Sequence, residues 1–289
     1  MGAIRIENVS FAYGDSLQEA ADEQPKLSLR DVSLEVPEGQ FLCLIGHSGS
    51  GKSTLLRLLL GLSKPQQGRI FIDGDPVDGP RLDRSFVFQN YSLFPWMKVA
   101  KNVEFGVQQA NKELGRGQTK DQIAEIAMEY LRRVDMADAA DKYPYQLSGG
   151  MQQRVAIARA LAMDADTLFF DEPFGALDVK TRRSLQELVD ELWRSGERRK
   201  TVVFVTHDIS EAILLADRVV FMGHGQILAD QPVGLDRPRD PAQIMTDPEA
   251  LSLNELLTDL FYEDDNGAAV QADGGLGSEP LADPMALGR

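Results

Sequence analysis

The sequence predicts an α/β protein built on a parallel sheet, and three observations carry that reading. Thr167–Phe170 and Thr201–Val205 are continuous apolar runs, and the helix-patterned segment Ser184–Trp193 lies between them. Strands that are apolar throughout are covered on both faces, as parallel strands flanked by helices are, and strands alternating with helices define an α/β sheet. The third observation is a glycine-rich loop that joins an apolar strand, Gln40–Ile45, to a leucine-rich helix.

Taken in order, Ile4–Val9 alternates apolar and polar residues, the pattern of a half-buried strand. After Tyr13, the polar and acidic stretch Gly14–Pro25 predicts an exposed hairpin loop. A second strand is expected near Leu29–Val36 and a third over Gln40–Ile45; Leu55, Leu58, Leu59 and Leu62 then recur at helical spacing. Thr119–Val134 predicts a helix with Ile123, Ile126, Ala127, Tyr130 and Leu131 on one face, and Val155–Met163 predicts another. The stretch from about 94 to 159 reads as a helical insertion. Near the C-terminus, Leu253, Leu256, Leu257, Leu260 and Phe261 form an apolar stripe over 251–261. From Glu263 onward glycine, alanine, proline and acids dominate, a composition that predicts disorder. The expected organisation is a body over 1–240, a helical extension over 241–262 and an acidic tail over 263–289.

The chain has 289 residues, 43% of them hydrophobic, enough to bury a full core. Its formal net charge is −15, and ten acidic residues from Asp247 onward face Arg289 alone, so the C-terminal segment carries most of that charge. Phosphate-backbone binding rests on a basic face; an acidic chain can still carry local basic patches, but nucleic acid is not the expected partner. Cys43 is the only cysteine and lies in an apolar run, which excludes an intrachain disulfide and predicts a small core residue. No signal-peptide pattern opens the sequence, and no apolar run approaches the about 20 residues of a membrane span. A soluble protein of a reducing compartment is expected.

Gly46-His47-Ser48-Gly49-Ser50-Gly51-Lys52-Ser53 matches G-x-x-x-x-G-K-[ST] in the required context, after a strand and before a helix. Glycines let the backbone curl so that amide N–H groups and the helix N-terminus hold phosphate oxygens. Lys52 supplies a point charge to the β- and γ-phosphates, and the Ser53 hydroxyl is a ligand for Mg²⁺. Downstream, the strand ending Phe169-Phe170-Asp171-Glu172 carries two acids: Asp171 to hold Mg²⁺ through a water and Glu172 to act as general base toward the attacking water. His207 follows the strand Thr201–Val205 at the end where open α/β sheets bind ligands, a place for a γ-phosphate contact. Gln89 ends another apolar stretch and is either a sensor of Mg²⁺ or water, or a surface amide.

Leu147-Ser148-Gly149-Gly150-Met151-Gln152-Gln153-Arg154, lying between Gln89 and Asp171, resembles the signature sequence of the ATP-binding-cassette (ABC) family. A serine hydroxyl and glycine amides at a helix N-terminus make a second anion site. The resemblance covers roughly residues 3–240. It implies a P-loop NTPase cassette: a RecA-like parallel-sheet core, an N-terminal antiparallel β subdomain and a helical signature subdomain. It further implies nucleotide contacts from Tyr13 (with Phe11 as the alternative adenine-stacking aromatic), Gly46, Ser48, Gly49, Ser50, Gly51, Lys52, Ser53 and Thr54. Mg²⁺ would be held by Ser53, Gln89 and Asp171, with Glu172, His207 and Gln89 catalytic. Ser148, Gly149, Gly150 and Gln152 would face ATP held by another subunit, and Asp178, in Gly175-Ala176-Leu177-Asp178, would couple the two sites. Two departures stand out. Met151 replaces the glutamine that closes the commonest signature, and His47 stands where proline is frequent, a change expected to be neutral.

Within this family, translation-factor relatives carry two cassettes and chromosome-maintenance relatives carry long coiled coils; one glycine-rich loop, one signature and no heptads favour a transporter subunit over these non-transport alternatives. Exporters usually fuse the cassette to membrane spans, so a free cassette looks like an importer. Tyr91–Val103, with Phe94, Trp96 and Met97, suits a groove for a partner helix. Together with Asp171–Asp178 and Arg237-Pro238-Arg239-Asp240, it resembles the nitrate/sulfonate/taurine/bicarbonate importer group. The resemblance implies ATP and Mg²⁺ as cofactors and two transmembrane permease subunits as partners. It also implies a second ATPase subunit, identical or related, an extracytoplasmic solute-binding protein acting indirectly, and a place at the cytoplasmic face of the cell membrane.

Overall fold

The computed structural model describes residues 2–13, 27–88, 92–175, 177–195 and 199–273. The predicted loop over 14–25 and the candidate Gln89 lie outside them. Strand β1 (Ile4–Phe11) pairs antiparallel with β2 (Leu29–Val36), opposing Ile4 to Val36 and Ile6 to Leu34, so its alternating apolar residues point inward. The apolar strand β3 (Phe41–Ile45) is buried at every position and leads into helix α1 (Lys52–Leu59). Three strands without a clear sequence signal follow: β4 (Gln67–Ile72), the two-residue β5 (Asp75–Pro76) and β6 (Arg84–Val87).

The helical layer consists of α2 (Val99–Glu113), α3 (Lys120–Arg133) and α4 (Gly149–Ala162). Thr119 and Gln122 form a reciprocal capping box at the start of α3. Ser148 caps α4, which therefore starts six residues before the expected Val155. Val103, Val107, Ala127, Leu131, Val155 and Ala158 fill the core between these helices. Next come β7 (Thr167–Asp171), α5 (Val179–Arg194), β8 (Thr201–Val205), α6 (Ile209–Leu215), β9 (Arg218–Gly223) and β10 (Gln226–Pro232). The short α7 (Pro241–Ile244) and the long α8 (Pro248–Asp273) end the described chain. Helix α8 runs past Glu263, where composition predicts disorder; Asp264 is buried against Gly223 and His224, a contact that composition does not encode.

The strands form two sheets. One is antiparallel, in the order β2-β1-β4-β5, and the other runs β10-β9-β3-β8-β7-β6 with only β10 antiparallel to its neighbour. Alternate residues of the central strands serve two cores. Phe41, Cys43, Ile45, Phe170 and Phe204 face the side packed by α5 and α6. Leu42, Leu44, Phe169, Val203 and Val205 face α1 and the antiparallel sheet. Cys43 is thus a core residue, and burial pushes its thiol well up in pKa. Because β3, β7 and β8 are parallel, their C-terminal ends share one edge, which delivers the Gly46 loop, Asp171 with Glu172, and His207 to one place. Among the described residues, no helix is long and apolar enough to cross a membrane.

Candidate nucleotide site

The glycine loop turns from β3 into α1 under tight steric limits. Gly46 has φ 143°, and a Cβ there would lie 2.0 Å from the Met222 carbonyl oxygen, so no other residue fits. Lys52 is 5% exposed, and its Nζ donates to the carbonyls of Gly46 and His47, each at 2.7 Å, and to Ser50 Oγ at 3.3 Å. Burial lowers its pKa, while Glu172 and Asp171 pull the other way.

Ser53 Oγ donates to Asp171 Oδ1 at 3.0 Å, joining residues 118 positions apart. Burial is the largest influence on Asp171 and raises its pKa; the Ser53 hydrogen bond lowers it, Glu172 raises it and Lys52 lowers it. A hydroxyl and one carboxylate at the foot of a phosphate loop are hard oxygen donors of the kind Mg²⁺ takes alongside substrate phosphates.

Glu172 holds a left-handed backbone at φ 45°, a conformation uncommon for a side chain of this size. Its N–H bonds to the Val205 carbonyl at 3.0 Å, which pins this turn to β8. Its Oε2 lies 3.5 Å from His207 Nδ1, so the candidate base and the candidate phosphate contact adjoin. His207 precedes Asp208, the N-cap of α6. Tyr13 is half exposed, and its hydroxyl lies 3.2 Å from Thr54 Oγ1; Phe11 is buried edge-on beneath it at 5.0 Å. Of the two aromatics, only Tyr13 presents a ring to solvent next to α1.

The signature lies on the helical layer. Ser148 Oγ accepts from Met151 N at 3.4 Å, and Gln152 Nε2 donates to the Leu147 carbonyl at 3.2 Å. A Cβ on Gly150 would meet Thr181 Cγ2 at 2.6 Å, so glycine permits α4 to approach the start of α5. Asp178 caps α5 by accepting from Thr181 N at 3.1 Å, and hydrogen bonds from Thr181 lower its pKa. The Ser148–Gln152 turn and Asp178 are therefore neighbours through Thr181.

Four features around the site have contacts that the sequence does not spell out. Arg182 donates to the Leu177 carbonyl at 3.3 Å and lies 3.7 Å from Asp208, tying the Asp178 turn to the residue after His207. Glu211 is buried on α6 and accepts from Gln186 Nε2 at 2.7 Å; burial raises its pKa. Arg237 and Arg239 are a clamp. Arg237 lies over Trp193 and bonds Asp190 and Asp217, while Arg239 donates to the carbonyls of Ile213 and Ala216 at the end of α6. The fourth is His47, expected to be neutral: its Nε2 lies 2.9 Å from the Phe261 carbonyl oxygen. That contact joins positions 214 apart, and no local pattern signals it.

Trp96 is 69% exposed beside Phe94 and Met97, both half-buried. Asn102 fixes this turn by bonding Phe94 N and the carbonyls of Phe94, Met97 and Lys98.

A phosphate loop at the mouth of a parallel sheet, an adjacent serine–aspartate pair, a glutamate–histidine pair and a capped signature helix define a nucleoside-triphosphatase cassette. The ABC transporter family profile matches residues 29–175. The chain is 43% identical over 260 residues to the bicarbonate transport ATP-binding protein of Synechococcus elongatus, covering 89% of each. It is 44% identical over 241 residues to the nitrate import ATP-binding protein of the same species, covering 82% of this chain and 86% of the other. Among solved structures, a dimeric ATP-binding cassette in a post-hydrolysis state bound to ADP and Pi superposes with a TM-score of 0.69 at 32% identity. That match covers 81% of this chain and all of the other. The chain belongs to the ABC transporter ATP-binding family, whose members hydrolyse ATP to drive transport.

Proposed function

We propose that this chain is the ATP-hydrolysing subunit of an importer for a small anion or organic solute of the nitrate, sulfonate, taurine or bicarbonate kind. The observation that carries the mechanism is the meeting of Ser53 with Asp171 and of Glu172 with His207 at one sheet edge beside the Lys52 loop. The relatives named for bicarbonate and nitrate transport support the substrate class.

In this reading the amides from Gly46 to Ser53 cradle the phosphates, Lys52 neutralises the β- and γ-phosphates, and Thr54 and Tyr13 flank the nucleoside side. Ser53 and Asp171 would hold Mg²⁺, which would supply charge neutralisation to the phosphate oxygens. Glu172 orients a water and accepts its proton as the water oxygen bonds the γ-phosphorus and the bond to ADP breaks. His207, beside Glu172, contacts the γ-phosphate. Gln89 lies outside the described residues and keeps its proposed role as a sensor of metal or water.

A second cassette, identical or related, supplies its Ser148, Gly149, Gly150 and Gln152 to this chain's ATP, and Asp178 couples the two sites. Closure of the pair moves the groove around Trp96, and with it two transmembrane permease subunits at the cytoplasmic face of the cell membrane. Binding energy then shifts the population between inward- and outward-facing states. An extracytoplasmic solute-binding protein delivers the substrate.

Co-purification of the tagged chain from its native membrane, with mass spectrometry of the retained proteins, tests this reading. Recovery of a permease and a solute-binding protein is expected. Recovery of ribosomes or DNA-associated proteins without a permease would replace transport with another use of the same ATPase.

A further inference from the structure

Helix α8 reaches the phosphate loop by two separate routes. In the first, His47 Nε2 lies 2.9 Å from the Phe261 carbonyl oxygen, and the two rings meet edge to face at 4.8 Å. Phe261 also stands edge-on to buried Phe221 in β9 at 4.8 Å, which fixes its ring against the sheet. The residue after Phe221 is Met222, whose carbonyl abuts Gly46. In the second route, the largely buried Asp264 carboxylate lies 3.0 Å from His224 Nε2 in the β9–β10 turn. The next residue, Gly225, donates its N–H to the Ser50 carbonyl at 3.2 Å.

The two loop residues reached in this way, His47 and Ser50, are also acceptors for Lys52. The His47 carbonyl takes Lys52 Nζ at 2.7 Å and Ser50 Oγ takes it at 3.3 Å. Asp264 Oδ1 is buried with the His224 ring 3.0 Å away but accepts no hydrogen bond among the described residues, so this contact links α8 by packing to the turn that bonds the loop. The aromatic contact adds a directional restraint on His47, since edge-to-face rings prefer one relative orientation. Proline, frequent at the position of His47, has no side-chain nitrogen to offer α8.

We infer that Phe261 and Asp264 are positioning residues for the phosphate loop, acting through His47 and through His224 with Gly225, so that α8 sets how well the loop and Lys52 receive ATP. This rests on the ATPase reading of the loop. Both residues lie outside the phosphate loop and meet it through His47 and through the turn of His224 and Gly225. Misplacing such a loop weakens ground-state binding of phosphate more than it slows hydrolysis once the nucleotide is seated.

The test uses the full chain and a fluorescent ATP analogue, alongside steady-state ATPase kinetics. Phe261→Ala, His47→Ala and Asp264→Asn are each expected to weaken analogue binding and raise KM for ATP about fivefold with kcat little changed, the scale typical of residues that modulate a site from a distance. Phe261→Tyr, which keeps the ring, is expected to bind as the wild type does. The double variant His47→Ala/Phe261→Ala is expected to lose less than the sum of the two single ones, because they share the ring contact between His47 and Phe261. Analogue affinity unchanged in the single variants, even with lowered thermal stability, would overturn the inference, as would additive losses in the double variant. A wild-type chain that binds no analogue would remove the proposed function itself, and this inference with it.

Discussion

Arg237→Ala is predicted to lower the melting temperature by roughly 6–12 °C while leaving nucleotide affinity intact. The guanidinium is 10% exposed; it reaches Asp190 Oδ1 at 2.6 Å and Asp217 Oδ1 at 2.9 Å, and donates to the Leu215 carbonyl. It also lies 4.5 Å from the centre of the Trp193 ring. Removing one partner of a fully buried pair costs about 3–5 kcal/mol, because the other charge is stranded. Here the stranding is partial. Asp190 keeps Arg194 at 2.8 Å, and Asp217 Oδ2 keeps the Phe41 N–H at 2.9 Å. A loss of about 2 kcal/mol from the pairs is therefore reasonable, with about 1 kcal/mol more from the ring contact. The sum, about 3 kcal/mol, converts at about 2–4 °C per kcal/mol for a domain of this size. Arg237→Lys keeps the charge but not the fork and is expected to lose about half as much. Circular dichroism melts at fixed protein concentration read the shift, and ATP-analogue titration at low temperature reads affinity. A shift below about 2 °C, or lost affinity at unchanged stability, would refute the clamp and make Arg237 a functional residue instead.

The buried Glu211 predicts a pH dependence. Burial holds its folded pKa above the unfolded value, so the folded state keeps a proton that the unfolded state has released. Its contribution is fully present below the unfolded pKa of about 4.3 and is lost as pH rises through the raised value. Glu211→Gln removes that loss, so urea unfolding at stepped pH is expected to show a flatter profile above pH about 4.3 than the wild type; an equally steep fall in both would contradict it. Trp96→Ala, at an exposed ring, is expected to change stability by less than about 0.5 kcal/mol. The same change is expected to reduce permease recovery about tenfold or more, as removal of an interface anchor does. Recovery equal to wild type would remove Trp96 from the coupling groove.

What was legible in the sequence follows from how local its cause is. β8 appears over Thr201–Val205 as its apolar run predicts, and α3 begins after Thr119 because its capping box lies within four residues. β2 spans Leu29–Val36 because alternation fixes which face is buried. In contrast, β9 pairs with β3 although some 170 residues separate them, a distance that can be read off their ranges but not off a pattern. β10 is an edge strand whose alternate residues are exposed or half-buried, so its apolar signal is weak. The loop residues, Asp171, Glu172 and His207 could be nominated because each ends or follows an apolar strand, and the structure brings them to one sheet edge. Arg182, Glu211 and the His47 contact with Phe261 were not, because each depends on two helices, or a helix and a loop, meeting in space. The Arg237–Asp240 element was seen as a family clue, and the fold shows what it does physically: it fastens the segment after β10 to α5 and α6.

The central claim is that one chain's Lys52 loop and another's Ser148 helix enclose a single ATP. The measurement that tests it most directly is the mass of the Glu172→Gln variant by light scattering, with and without MgATP, beside the double variant Glu172→Gln/Ser148→Arg. ATP is expected to bind to both but to drive only Glu172→Gln into a dimer, since loss of the base stalls hydrolysis and arginine blocks the second anion site. Dimerisation of both variants alike, or of neither while ATP is bound, would contradict it.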